Sequence, residues 1–310
     1  MKMVYKCQQY LMIYRYSIMK DHVSVLLNES ISALQVASDG CYIDGTYGRG
    51  GHSAAILKQL SASGKLFACD CDPEAAADAR RFSQDERFQF LPINFADLAK
   101  HLPEDVLGRV NGILLDLGVS SPQLDQGERG FSFRYEAPLD MRMNNAEGQS
   151  AGSWLLTVSE GELADVIFYY GQERLSRRIA KRIVAKRHPA MTTSELAQWV
   201  LQCYPNKRHE KHPATKTFQA IRMHVNQELQ SIEALLKDAP AILSLHGRLS
   251  IITFHGLERK LVKRWSGPSN DFLPFPKLRP TGRAIKPSVN EVRDNPRASS
   301  ALLSTLERVA

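Results

Sequence analysis

The stretch that most constrains this 310-residue chain is Asp44-Gly45-Thr46-Tyr47-Gly48-Arg49-Gly50-Gly51-His52. The apolar run Cys41-Tyr42-Ile43 feeds into it, and a helical pattern carrying Ala54, Leu57 and Leu60 leaves it. A strand, a glycine-rich turn and a helix in succession expose bare backbone N–H groups to an approaching ligand. A second strand, Leu66 to Cys69, ends at Asp70, twenty residues beyond Gly50. A carboxylate at that point is placed to reach ribose hydroxyls. Matched to G-x-G-x-x-G, the turn supplies Gly48 and Gly50, but Ser53 replaces the third glycine. A cofactor containing a nucleoside is expected. No G-x-x-x-x-G-K-[ST] occurs, which disfavours ATP hydrolysis.

The alternation continues. Asp72-Pro73-Glu74 opens a helix, with proline in the first turn and acids at the helix N-terminus. Phe88 to Leu91 reads as a third strand and Gly112 to Asp116 as a fourth. Strands alternating with helices imply a parallel sheet covered on both faces. The pattern then stops. Residues 121–150 are rich in Gly, Ser, Asn and Pro and predict an ordered loop or short turns, and 153–202 read as helical. One long helix is expected over about 215–237, followed by a fifth strand from Gly247 to Phe254. A helical block inserted in a parallel α/β domain is the simplest arrangement.

Charge follows the same division. Residues 21–125 hold fifteen Asp/Glu against eight Lys/Arg, whereas 171–222 hold twelve Lys/Arg against three acids. Residues 255–297 add ten basic residues against four acidic. An acidic small-molecule domain joined to a basic, polyanion-binding surface fits this map, with nucleic acid as the partner. It also bears on the cofactor. Acids such as Asp44 beside the turn would repel a pyrophosphate but suit a sulfonium and an amino group, so S-adenosylmethionine is favoured over a dinucleotide. Apolar residues at 43% and charged residues at 24% are those of a globular chain. No run approaches a membrane span. The greasy run Leu11 to Met19 is broken by Arg15 and makes a poor signal peptide. Five cysteines without a CxxC pair argue against a disulfide framework or zinc site, and a reducing, cytoplasmic setting is expected.

Several segments carry a more specific likeness. They are His22 to Leu27, Asp44 to Ser53, Gly112 to Asp125, Glu128 to Phe133, Pro138 to Met143, Lys211 to Thr215 with Thr217 to Arg222, and Asn295 to Ala298. Together they resemble the bacterial 16S ribosomal RNA cytosine-N4 methyltransferase family. The resemblance implies an α/β, Rossmann-like class I S-adenosylmethionine-dependent methyltransferase domain with an inserted, mostly helical domain. It divides the chain into a loose N-terminal extension (1–20), a discontinuous methyltransferase domain (21–120 and 214–310) and an RNA-recognition insert (121–213). It implies 16S ribosomal RNA or the small ribosomal subunit as partner, with no membrane and no metal required. Cofactor contacts then fall on Gly50, Gly51, His52, Asp70, Phe95, Asp116 and Gln123, with Asp70 holding the ribose and Phe95 beside the adenine.

The exocyclic amine of cytosine is a weak nucleophile because its lone pair is delocalised, so an acceptor for its N–H groups and alignment with the methyl group are needed. The Asp/Asn-Pro-Pro-aromatic motif common among amino methyltransferases is replaced here by Asp116-Leu117-Gly118-Val119. Asp140, His255 and the backbone around Gly118 are therefore candidate acceptors. Phe131, Phe133 and Tyr135 are candidate stacking residues for a base turned out of its stack. Two departures from the family pattern fall near the expected RNA side: Arg259 replaces an acid after the fifth strand, and 266–276 is short. Two rivals are a non-catalytic RNA-binding assembly factor that kept the fold and a dinucleotide-dependent oxidoreductase. The second would leave the missing third glycine and the basic insert unexplained.

Overall fold

The computed structural model describes residues 24–205, 212–266 and 278–309. The expected N-terminal extension lies outside these residues, as does nearly all of the short 266–276 stretch. Seven strands form one sheet in the order β3-β2-β1-β4-β5-β7-β6. They are β1 (Cys41–Asp44), β2 (Lys65–Cys69), β3 (Phe88–Leu91), β4 (Val110–Asp116), β5 (Leu243–Thr253), β6 (Leu278–Pro280) and β7 (Leu302–Arg308). The first five pair in parallel, whereas β7 runs antiparallel to both β5 and β6. The order reverses between β1 and β4, so a crevice opens at the carboxyl ends of those two strands.

Strand alternation sorts the core onto the two faces. Ile43, Phe67, Ile113 and Leu115 bury against α4 (Leu98–His101) and α11 (Glu228–Ile242) on one side. Tyr42, Leu66 and Leu114 bury against α1 (Leu27–Leu34) and α2 (Gly51–Gln59) on the other. Burial on both faces is why these strands read as continuous apolar runs rather than alternating ones. Local chemistry sets several helix starts. Asp72 accepts the Glu74 N–H at 3.0 Å to cap α3 (Pro73–Ala79), and Ser120 with Gln123 forms a capping box on α5 (Ser121–Asp125).

The inserted block is helical, as expected, but divided into α6 (Ala151–Thr157), α7 (Glu160–Tyr169), α8 (Ser176–Lys186) and α9 (Thr193–Leu201). It has its own apolar core around Leu155, Ile167, Ile179, Ile183, Leu196 and Val200. The helix expected over 215–237 is two helices, α10 (Ala214–Val225) and α11, separated at Asn226-Gln227. Gln227 takes a left-handed φ of 49°, which ends the regular helix. The break also changes sides. α10 was expected to belong with the sheet, but it buries Ala214, Phe218, Ala220 and Ile221 in the insert's core. α11 packs on the sheet instead. The fifth strand begins at Leu243 rather than Gly247, and β6 and β7 were not anticipated.

Candidate active site

A cavity of about 180 Å³ lies at the carboxyl ends of β1, β2, β4 and β5. Gly51, His52, Asp70, Phe95, Asp116 and Gln123, expected there from the sequence, all line it. Gly50 does not. Its φ of 63° makes the turn, and a Cβ would come within 2.6 Å of the Tyr47 ring, so glycine is required there for conformation and packing.

The acids at the strand ends form a connected set. Asp44 is fully buried; its Oδ2 accepts the Ser53 hydroxyl at 2.6 Å and its Oδ1 the Thr46 N–H at 3.2 Å. Burial pushes its carboxyl above the usual range. Asp70 accepts the Gly48 N–H at 2.8 Å and the Asp72 N–H at 2.9 Å. Burial still pushes it up to about 6. His52 Nε2 lies 3.6 Å from Asp116 Oδ2. Burial alone would lower the His52 pKa, but Asp116 and then Asp44 outweigh it and the net direction is upward. Both ring nitrogens of His52 and Oδ1 of Asp116 are buried without a hydrogen-bond partner. Unmatched polar atoms of this kind are costly unless a ligand meets them. A ligand with a cationic centre and several donors fits this donor set, and S-adenosylmethionine is such a ligand.

Gln123 lines the cavity with its amide already committed. Its Oε1 accepts the Ser120 N–H at 3.0 Å, and its Nε2 donates to Asp72 at 2.8 Å. Asp72 also receives the buried Arg129 at 3.0 Å, and Arg129 Nη2 reaches the Met143 carbonyl at 2.9 Å. Arg129 thus ties the 129–143 loop of the insert to the β2–α3 turn. Gly130 beside it has φ 72°, and a Cβ there would lie 2.5 Å from the Pro138 carbonyl oxygen.

Of the three candidate acceptors, the backbone around Gly118 lines the cavity, and the two side chains do not. Asp140 is not among the lining residues and is gripped by the Arg142 fork, with two contacts of 2.7 Å. Burial would raise its carboxyl, yet the Arg142 hydrogen bonds prevail and lower it. His255 does not line the cavity either; Glu258, its partner, does. Their side chains meet at 2.9 Å, and Glu258 Oε2 accepts the Phe254 and His255 N–H groups at 2.7 and 3.2 Å. The Glu258 N–H in turn reaches His255 Nδ1 at 3.5 Å, so the two residues satisfy each other at the start of α12 (Gly256–Ser266). The His255-x-x-Glu258 spacing was the signal available in the sequence.

The helix break supplies the opposite wall. Asn226 accepts the Met143 N–H at 2.7 Å and donates to the Met141 carbonyl at 2.7 Å. Glu228 is held in a two-bond fork by Arg222, at 2.7 and 2.8 Å. Ligand atoms of Glu228, His255 and Glu258 lie within 4.8 Å of one another, a grouping with the spacing of a cation site. Nothing in the sequence had suggested one. At the mouth, Arg297 joins Asp125 at 2.6 Å and the Ser121 hydroxyl at 2.8 Å, so a segment from the C-terminal region crosses to α5. Of the candidate stacking residues, Phe131 is buried in the insert core and Phe133 packs on Phe218 with ring centroids 5.0 Å apart. Tyr135 stays 48% exposed. Arg259 donates to the Ser300 carbonyl, so its charge is directed at the segment preceding β7.

A family model described as the MraW methylase family matches residues 19–309. The chain belongs to that family. A ribosomal RNA small subunit methyltransferase H from Thioalkalivibrio sulfidiphilus is 47% identical, over 93% of this chain and 98% of its own length. One of the same name from Shewanella frigidimarina is 45% identical, over 93% and 97%. Among solved structures, a SAM dependent methyltransferase from Aquifex aeolicus aligns over 92% of this chain and 90% of its own, at 10% identity and a TM-score of 0.41. Family membership makes the chain a methylase with the Rossmann-like sheet described above, as the sequence resemblance implied. Among the described residues, no helix is long and apolar enough to cross a membrane.

Proposed function

We propose that this chain is an S-adenosylmethionine-dependent enzyme that methylates N4 of a decoding-centre cytidine in 16S ribosomal RNA. The observation that carries this reading is the shared cavity. Asp70 and Asp116, at the ends of β2 and β4, line one side together with the unmatched polar atoms of His52 and Asp116, and Met143 and Asn226, at the junction with the insert, line another. Bound there, the cofactor supplies an electrophilic methyl group on a sulfonium.

The residues of the chain divide the remaining work. Asp70 accepts hydrogen bonds from the ribose, and Phe95 flanks the adenine. His52 and Asp116, with Gly51 beside them, hold the charged end, and Gln123 fixes the α5 wall. Asp116, which lines the cavity, makes the site hostile to a pyrophosphate, which disfavours a dinucleotide. The target amine loses a proton as its nitrogen becomes bonded to carbon. Asp140 is already paired with Arg142, and we assign the acceptor of that proton to the Glu258 carboxylate, with His255 Nε2 placed 2.9 Å from it. Arg222 supplies the cation beside Glu228, so no metal is required and chelators leave activity intact. In domain terms, the insert runs from α5 to the Asn226-Gln227 break, and the remainder forms the methyltransferase domain, acting in the cytoplasm on the small subunit.

The test is transfer of a labelled methyl group from S-adenosylmethionine to undermethylated small ribosomal subunits, with nucleoside analysis. Label in N4-methylcytidine, lost in Asp116→Ala, is the expected result. Label in another nucleoside retains the enzyme class and rejects the target. Tight binding of cofactor and subunit without label would instead indicate an assembly factor.

A further inference from the structure

The insert carries a surface that the cavity does not use. Phe168 and Tyr169 end α7 with 49% and 64% of their surfaces exposed, and their rings stand edge to face with centroids 5.2 Å apart. A short turn then leads to Arg174 and α8. Ser176, Ile179, Ala180 and Ile183 of α8 face inward. Arg177, Arg178 and Lys181 of α8 are exposed on one side of the helix, Lys181 standing four residues beyond Arg177 and three beyond Arg178, and the exposed Arg174 stands two residues before the helix begins. None of these four has a carboxylate partner among the described residues, whereas Arg87, Arg129, Arg142, Arg222 and Arg297 each have one.

The turn between the rings and the cations is firmly held. A Cβ on Gly171 would lie 2.7 Å from the Lys216 carbonyl oxygen of α10. Glu173 is buried, accepting the Tyr204 hydroxyl at 2.6 Å and the Leu175 N–H at 2.9 Å. Two exposed rings are therefore fixed next to a stripe of unpaired cations. Exposed aromatic faces offer stacking to any unpaired base, and the stripe offers phosphate contacts. A paired A-form helix hides the base faces.

We propose that Phe168, Tyr169 and the Arg174–Lys181 stripe dock a single-stranded segment of ribosomal RNA, apart from the nucleotide that enters the cavity. The identity of that RNA rests on the proposed function; the docking chemistry does not. The experiment measures binding of the full chain to a single-stranded oligoribonucleotide, to the same sequence as a duplex, and to small subunits, across a salt series. Phe168→Ala/Tyr169→Ala should weaken single-strand binding by roughly tenfold per ring. Replacing the four cations by Gln should make the slope of log affinity against log salt shallower by about 3. Melting temperature and cofactor affinity should not change, since all six side chains are on the surface.

Single-strand and subunit affinities unchanged in both variants would overturn the proposal. So would equal binding of duplex and single strand with no effect of the ring substitutions, or polyglutamate binding as tightly as RNA, which would make the stripe a site for an acidic protein. A chain that methylates N4 of cytidine but shows no such losses rejects this surface alone. A chain that shows the losses but does not methylate rejects the enzymatic reading and retains the surface.

Discussion

The cofactor cleft and the exposed face of α8 both concentrate charge, and they treat it in opposite ways. In the cleft, Asp70, Glu228 and Glu258 are each held by hydrogen bonds or an ion pair from the chain itself. On α8 and just ahead of it, Arg174, Arg177, Arg178 and Lys181 stand in solvent without a carboxylate partner among the described residues. The first arrangement fixes donors and acceptors before a ligand arrives, which lowers the reorganisation needed at reaction. The second leaves charge unsatisfied until a polyanion arrives, at little cost because water solvates it. Charged side chains therefore report different functions, according to whether the fold has already paired them.

The largest expected effect in the cleft belongs to Glu258. Glu258→Gln keeps an oxygen for the Phe254 and His255 N–H groups but removes the base. Single-turnover methyl transfer should fall by at least about a hundredfold, with cofactor affinity within twofold. A rate near that of the wild type would place the acceptor elsewhere on the wall. His255→Asn should move the pH–rate profile, whereas a purely packing role would leave its shape unchanged.

Asp70 comes next. Ribose hydroxyls donate best to its ionised form, and its pKa stands at about 6. Cofactor affinity should therefore fall as pH drops through 6. The folding contribution has the opposite sign: a carboxyl raised above its unfolded value stabilises at low pH, and that contribution is lost as pH rises through about 6. Asp70→Asn should weaken cofactor binding on the order of thirtyfold near neutrality. It should also flatten both pH dependences, measured by calorimetry and thermal melts. An undiminished pH dependence would assign it to another acid, with Asp44 the first to examine.

Asn226→Ala removes the link between the helix break and the Met141–Met143 segment and leaves the Met143 N–H without its acceptor. A loss of about 1–3 kcal/mol in denaturant unfolding is expected. Turnover should fall more than cofactor affinity, because that segment belongs to the insert's side of the cavity. Equal losses in both would mean that the link serves the cofactor alone. The smallest effect is expected for Arg297→Ala, whose partner Asp125 is exposed. Stability should change by less than about 1 kcal/mol, while cofactor dissociation, followed by stopped flow, should accelerate severalfold. No acceleration would reduce the contact to a surface ion pair.

How much of this was legible in advance differs from feature to feature. The β1 turn, Asp70 and Asp116 could be found because turn chemistry and strand ends are local: a few consecutive residues carry the whole signal. The pairing of Asp140 with Arg142 is not legible in the sequence, because a carboxylate in a promising motif looks the same whether or not an arginine two residues on has claimed it. Asn226 was missed because its partners lie 83 and 85 residues away. The periodicity across 215–237 ran straight through the break, and the hydrogen bonds at Asn226 together with the left-handed Gln227 mark where it ends.

The sequence by itself determined the parallel sheet, the glycine turn with its acids, and the separation of an acidic cofactor side from a basic insert. All three are written in spacing and composition over short windows. The tertiary structure decided which carboxylates remained available, that α10 would join the insert while α11 returned to the sheet, and that Glu258 rather than His255 would line the cavity. Those outcomes depend on pairings between residues remote in the chain and on burial, and neither is fixed until the layers pack.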